Sequence, residues 1–291
     1  MSFNFSATIF EKQFHKCLLL ILATMFLSSC NGIGMDNIFN KSFSIDDRAK
    51  FKDVTFPDTT AALDSYSVII ISDIHFPSCR KNDFIAKIMS VDFTSYGTPA
   101  MVVALGDLTN DGTHEQYEVY NEFAEELHDS LGVPVFPVPG NHDSYDTALN
   151  GRNYLQDIYP TTFYRIKLHD LSWYFLDSAD GTFGYNQLHT LENLFSTDSN
   201  KKIICTHYPL YTDSLFYRLS NYKERAHVIK MCAENDVALY LCGHTHIYSE
   251  HDFNSFRQIL CGSLVGDDEA PSFVILSFYN DGRYERTVFT L

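Results

Sequence analysis

Five short polar clusters punctuate the chain: Asp73-Ile74-His75, Gly106-Asp107, Gly140-Asn141-His142-Asp143, Thr206-His207 and Gly243-His244-Thr245-His246. Together they offer carboxylate oxygens, one amide oxygen and several imidazole nitrogens, a donor set that suits a pair of divalent cations. Asp73 and His75 stand two residues apart, as do His244 and His246, so at a strand end both members of a pair can leave one side of the backbone. Gly243 permits a tight turn before the second pair. Asp107 can use both carboxylate oxygens, one per cation, which an imidazole cannot do. Asn141 adds a neutral oxygen where another negative charge would over-neutralise the site. Two cations about 3.5–4 Å apart acidify a shared water and clamp phosphoryl oxygens, so the matching chemistry is attack of metal-activated hydroxide on a phosphoester. The leaving alkoxide then needs a proton. His142 is placed to act as the general acid, because imidazole titrates near neutrality, and Asp143 is expected to orient its ring.

Each cluster directly follows an apolar run that reads as a buried strand, and strand ends are where open α/β sheets place their ligand sites. The runs are Ser67–Ser72, Met101–Leu105, Val133–Val138, Lys202–Cys205 and Val237–Cys242. Proline within Val133–Val138 predicts a sheet position with few amide demands. Helical spacing predicts helices over 80–91, 114–131, 187–195 and 215–235. After residue 160 strands come in pairs. Phe163–Leu168 and Trp173–Leu176 flank a His169-Asp170 turn, and Phe273–Phe278 and Tyr284–Phe289 flank Asn280-Asp281-Gly282. Arg257–Cys261 is a further strand. The pattern predicts an α/β fold of two sheets packed face to face with helices outside.

With 291 residues, 45% of them hydrophobic, the chain can bury one large core. A net charge of −16 and the lack of a Lys/Arg cluster exclude a polymeric nucleic acid partner, while a small phosphate ester remains compatible if bound cations invert the local field. Lys12 and Lys16 precede an apolar stretch, Cys17–Leu27, that is too short to span a bilayer comfortably, and Leu27-Ser28-Ser29-Cys30 closes it. This resembles a bacterial lipoprotein lipobox. It implies a signal peptide over 1–30, acylation of Cys30, a tether or N-terminal segment over 31–64 and a catalytic domain over 65–291, held at a membrane of the cell envelope. The alternatives are an ordinary cleaved signal or an uncut anchor helix. Five cysteines follow Cys30 without regular spacing, which is no disulfide framework.

As an ordered set, the five clusters resemble the calcineurin-like metallophosphoesterase family, whose pattern runs Asp-X-His, Gly-Asp, Gly-Asn-His-Asp/Glu, His and Gly-His-X-His. The resemblance implies a four-layer αββα sandwich of two mixed sheets and a binuclear centre of Mn, Fe, Zn or Ni. One metal would be held by Asp73, His75, Asp107 and His246. The other would be held by Asp107, Asn141, His207 and His244. His142 would take the family's proton-donating role. Gly106–Gly112 and the acidic helix after it look most like the cyclic-nucleotide-phosphodiesterase-like branch. Purple acid phosphatases carry a tyrosine where this chain has Asn110, so an iron–tyrosinate centre is not expected. The expected function is hydrolysis of a phosphomonoester or phosphodiester. A nucleotide pyrophosphatase or a lipid- or sugar-phosphate phosphatase is the nearest alternative, and a membrane-tethered, metal-stabilised interaction module is the alternative of another class. Tyr208 and Tyr211 are read as pocket lining or packing, and Asp267-Asp268-Glu269 as a solvated loop.

Overall fold

Val68 and Ile70 lie on one face of the strand β2 (Ser65–Ile71), Ile69 and Ile71 lie on the other, and both faces are buried. A strand covered on both sides reads as a continuous apolar run. The same alternation recurs in β3 (Thr98–Leu105), with Met101, Val103 and Leu105 facing one core and Val102 and Ala104 another. It recurs again in β7 (Lys201–Cys205) and β8 (Val237–Cys242). The structure is a computed structural model describing residues 45–55, 60, 62–144, 161–214, 217–267 and 269–291. Cys30 and the leader lie outside the described residues.

Two mixed sheets result. The five-stranded sheet runs β12-β11-β2-β3-β4, with β4 at Val135–Val138, β11 at Ser272–Tyr279 and β12 at Tyr284–Thr290. The seven-stranded sheet runs β1-β5-β6-β7-β8-β10-β9. Its remaining members are β1 (Lys52–Asp53), β5 (Tyr164–Leu168), β6 (Leu171–Phe175), β9 (Ser249–Asp252) and β10 (Arg257–Leu260). One core fills the space between the sheets, joining Val68, Met101 and Leu276 to Trp173, Ile203 and Leu241. Helices α2 (Lys81–Met89) and α3 (His114–Leu131) cover the outer face of the five-stranded sheet through Phe84, Ile88, Tyr120, Phe123 and Leu127. Helices α4 (Tyr185–Thr197) and α5 (Tyr222–Glu234) cover the seven-stranded sheet through Leu188, Leu191, Phe195, Val228 and Met231. This is the expected four-layer αββα sandwich.

Strands β2, β3 and β4 are parallel to one another, as are β7 and β8, so all five polar clusters sit at C-terminal ends of parallel strands. The proline-bearing β4 is an edge strand, where a missing amide costs nothing. Helix α3 starts where predicted because the Thr113 hydroxyl accepts the Gln116 amide, and it stops at Gly132 in the left-handed region (φ 70°).

Three features differ from expectation. The helix expected over 215–235 begins at Tyr222, because the Asn221 side chain accepts the Lys223 and Glu224 amides and starts the helix there. Strand β9 was not predicted. The fold also takes in residues 45–55, ahead of the expected domain boundary at 65. The short helix α1 (Ile45–Arg48) sends Arg48 into the interior, where it pairs with Asp177 at 2.6 Å and Asp180 at 3.2 Å, and β1 pairs with β5. Among the described residues, no helix is long and apolar enough to cross a membrane.

Candidate metal centre and active site

Asp73, His75, Asp107, His244 and His246 have φ values of 49, 52, 49, 76 and 59°. They make up five of the eight non-glycine residues with positive φ among the described residues. Left-handed backbone costs a non-glycine residue roughly 1–3 kcal/mol, and such residues concentrate where surrounding structure holds a functional geometry. Two glycines make the close approach possible: a Cβ at Gly140 would collide with the Asp107 amide and Oδ1, and one at Gly243 with Ser72 and Asp73.

The side chains gather into two groups that share Asp107. Asp73, His75, Asp107 and His246 form one, Asp107, His207 and His244 the other, with ligand atoms in each lying within 4.8 Å of one another. His75 Nε2 is 3.1 Å from His246 Nε2, and His246 Nε2 is 3.4 Å from Asp73 Oδ1. His207 Nε2 is 3.1 Å from Asn141 Oδ1, 3.2 Å from His244 Nδ1 and 3.2 Å from Asp107 Oδ2. Asn141 thus joins the second group. Asp107 differs in detail from expectation. Its Oδ1 accepts the His142 amide at 2.8 Å, so the single oxygen Oδ2 faces both His207 and, at 3.7 Å, His75.

These residues fit cations. Asp73 and Asp107 are 0% and 1% exposed, and among the described residues their ion-pair partners are all histidines. Buried carboxylates without a Lys or Arg partner, facing converging imidazole nitrogens, are the donor set of a metal site. The electrostatics agree. Burial pushes the Asp73 carboxyl up, but the His246 hydrogen bond and the His207 charge outweigh it and hold the group below the usual carboxylate value. Burial likewise opposes, and His207 overrides, at Asp107, which is also held low. Burial lowers His207 and His246, yet Asp107 raises the first to about 9, and Asp73 and Asp267 raise the second to about 9. Burial and the neighbouring His207 charge push His244 down to about 3.

His142 sits with its ring centroid 4.7 Å from that of His75, and its Nδ1 faces the Asn110 carbonyl at 2.8 Å. The ring-orienting role expected of Asp143 therefore falls to Asn110. The Asp143 carboxylate is buried among the Leu108, Thr109 and Gly140 amides and the Thr109 hydroxyl, at 2.8–3.1 Å, and ties the Gly106 and Gly140 loops together. Burial and the Asp107 charge push that carboxyl up to about 7.

In the acidic run at 267–269, Asp267 and Glu269 are exposed as expected and Asp268 lies outside the described residues, but Asp267 also reaches His246 Nδ1 with both oxygens, at 2.9 and 2.8 Å. Tyr208 is buried with its ring centroid 4.1 Å from that of His244, and Tyr211 stacks on His251 at 3.9 Å.

The model of the calcineurin-like phosphoesterase family matches residues 66–248, and the chain belongs to that family. Two curated relatives are named probable cyclic nucleotide phosphodiesterases. The one from Fibrobacter succinogenes is 30% identical over 40% of this chain and 46% of its own length, and the one from Synechococcus is 29% identical over 38% and 43%. The matches thus span less than half of each relative. Among solved structures, a dimetal phosphatase from Danio rerio is 15% identical and aligns with TM-score 0.56 over 77% of this chain and 98% of its own. The anchor in the inner membrane complex of Plasmodium is 14% identical and aligns with TM-score 0.59 over 78% and 84%. Both show the shared fold.

Proposed function

We propose that the protein hydrolyses phosphodiesters, cyclic nucleotides foremost, at a centre that holds two divalent cations. The observation carrying this reading is the pair of ligand groups that meet at Asp107 Oδ2. Asp73, His75, Asp107 and His246 would hold one ion, and Asp107, Asn141, His207 and His244 the other. Mn, Fe, Zn or Ni suits this nitrogen and oxygen set. When bound, such ions neutralise phosphoryl oxygens and acidify a water for in-line attack.

The chain's own share is positioning and proton delivery. With Nδ1–H donated to the Asn110 carbonyl, His142 keeps Nε2 as the position from which a proton passes to the departing alkoxide. The His142 amide on Asp107 Oδ1 fixes that ring relative to the carboxylate both groups share. Asp143 holds the loop beneath it. The names of the Fibrobacter and Synechococcus relatives favour a diester over a monoester.

The test is turnover of cyclic AMP, bis(p-nitrophenyl) phosphate and p-nitrophenyl phosphate by the full chain, stripped with chelator and reloaded with each cation, with metal content measured alongside. Reloading should restore diester turnover above monoester turnover. A chain that binds no cation, or that cleaves none of the three, overturns the reading. We also infer that Cys30 carries the lipid that holds this domain at the envelope membrane; labelled fatty acid should be lost from Cys30→Ala, and label retained in that variant would refute it.

A further inference from the structure

We propose that Asp267 is a positioning residue of the centre, aiming His246 Nε2 at Asp73 and His75 and strengthening that nitrogen as a ligand. The inference rests on reading the Asp73–His246 group as a cation site. Both Asp267 oxygens lie within 2.9 Å of His246 Nδ1, so Nδ1–H is donated outward and Nε2 is left facing inward. A carboxylate behind a ligating imidazole fixes its ring and raises the basicity of the opposite nitrogen. The other rings on this face whose outer nitrogen is paired rest on neutral carbonyls: His207 Nδ1 on Leu105 and His142 Nδ1 on Asn110, each at 2.8 Å.

The segment carrying Asp267 is itself tied to both ligands it serves. Leu264 donates its amide to the Asp73 carbonyl at 3.2 Å, and Ser263 donates its own to the His246 carbonyl at 3.4 Å. The Ser263 hydroxyl in turn accepts the Val265 and Gly266 amides at 3.1 and 3.3 Å, folding the chain back on itself just before Asp267. Gly266 takes φ 80° there, and a Cβ on it would lie 2.5 Å from Pro271. Asp267 is thus delivered to His246 by a braced turn. The Asp267 side chain is about half exposed, and a surface ion pair is ordinarily worth about 0–1 kcal/mol, so it is the bracing of its turn that sets this pair apart.

The test is chelator competition on the full chain loaded with Zn²⁺ or Mn²⁺, resolving the two ions, with the unfolding midpoint of each ion-free variant measured as a check on the fold. Asp267→Ala should weaken one ion by about 10–100-fold and leave the other unchanged. Asp267→Asn should fall between Ala and wild type, since its amide oxygen still accepts Nδ1–H without the charge. Glu269→Gln removes the same charge two residues away and should change neither ion. If Asp267→Ala binds both ions as tightly as wild type, or if Glu269→Gln weakens binding equally, the positioning role is overturned. A wild-type chain that binds no ion overturns the proposed function instead, so the two failures are distinguishable.

Discussion

The protein buries aspartates in two regions and treats them differently. At the strand ends the ion-pair partners of Asp73 and Asp107 among the described residues are all histidines. Elsewhere Asp177 is clasped by Arg48 at 2.6 Å, and Asp198 by Arg165 at 3.1 Å. A buried carboxylate against a guanidinium, with its remaining lone pairs satisfied by Thr162 and the Ala179 amide as at Asp177, is electrostatically complete. A buried carboxylate against imidazoles has the donors that could hold a cation. The identity of the partner thus separates a pair that holds the fold from a candidate metal group.

Four substitutions test that separation, in descending order of expected effect. Asp107→Asn should weaken both cations and cut turnover on the order of 10³-fold or more, since several kcal/mol of charge stabilisation are lost. The ion-free variant should also lose some stability, because the buried His207 imidazole loses the carboxylate that holds its charge. Elemental analysis showing two ions retained would break the contrast from the site's side. Asp177→Asn should do the reverse. It leaves the Arg48 guanidinium, whose side chain is 1% exposed, without its main partner and should cost roughly 3–5 kcal/mol in denaturant unfolding while turnover per folded molecule stays put.

His142→Asn sharpens the site's half. Turnover of a poor leaving group should fall about 10²-fold with both ions still bound, and p-nitrophenyl esters should suffer less, because their leaving group needs little protonation. Asp198→Asn sharpens the structural half at smaller scale, about 1–3 kcal/mol at pH 7. Burial raises the Asp198 carboxyl, but hydrogen bonds from Ser172 and Tyr174 and the Arg165 charge outweigh it and leave the group below its ordinary value. Its contribution is therefore present above the ordinary carboxylate range and disappears as pH falls through the lower folded value. The stability gap between wild type and variant should close on acidification below about pH 4. A gap that widened with acid would contradict the assignment.

Much of this was legible in the sequence, for identifiable reasons. Two-sided strands such as Val68–Ile71 read as continuous apolar runs, and five such runs each end in a polar cluster, so the strand ends and the polar side chains gathered there could be read locally. Strand β9 could not, because Ser249-Glu250-His251-Asp252 is polar and lies at a sheet edge, where neither period nor burial leaves a mark. The pairing of β11 beside β2 joins residues some two hundred positions apart and has no local signature. Asp267 escaped for the same reason, being a loop carboxylate 21 residues past its histidine. Asn110 escaped because the group that orients His142 is a backbone carbonyl, which every residue possesses.

The left-handed turns at Asp73, His75, Asp107, His244 and His246 have a thermodynamic corollary. Their conformational expense is part of folding itself. On the proposed function, a cation would bind the folded state, and resistance to heat should climb with the logarithm of free cation concentration once that exceeds the dissociation constant.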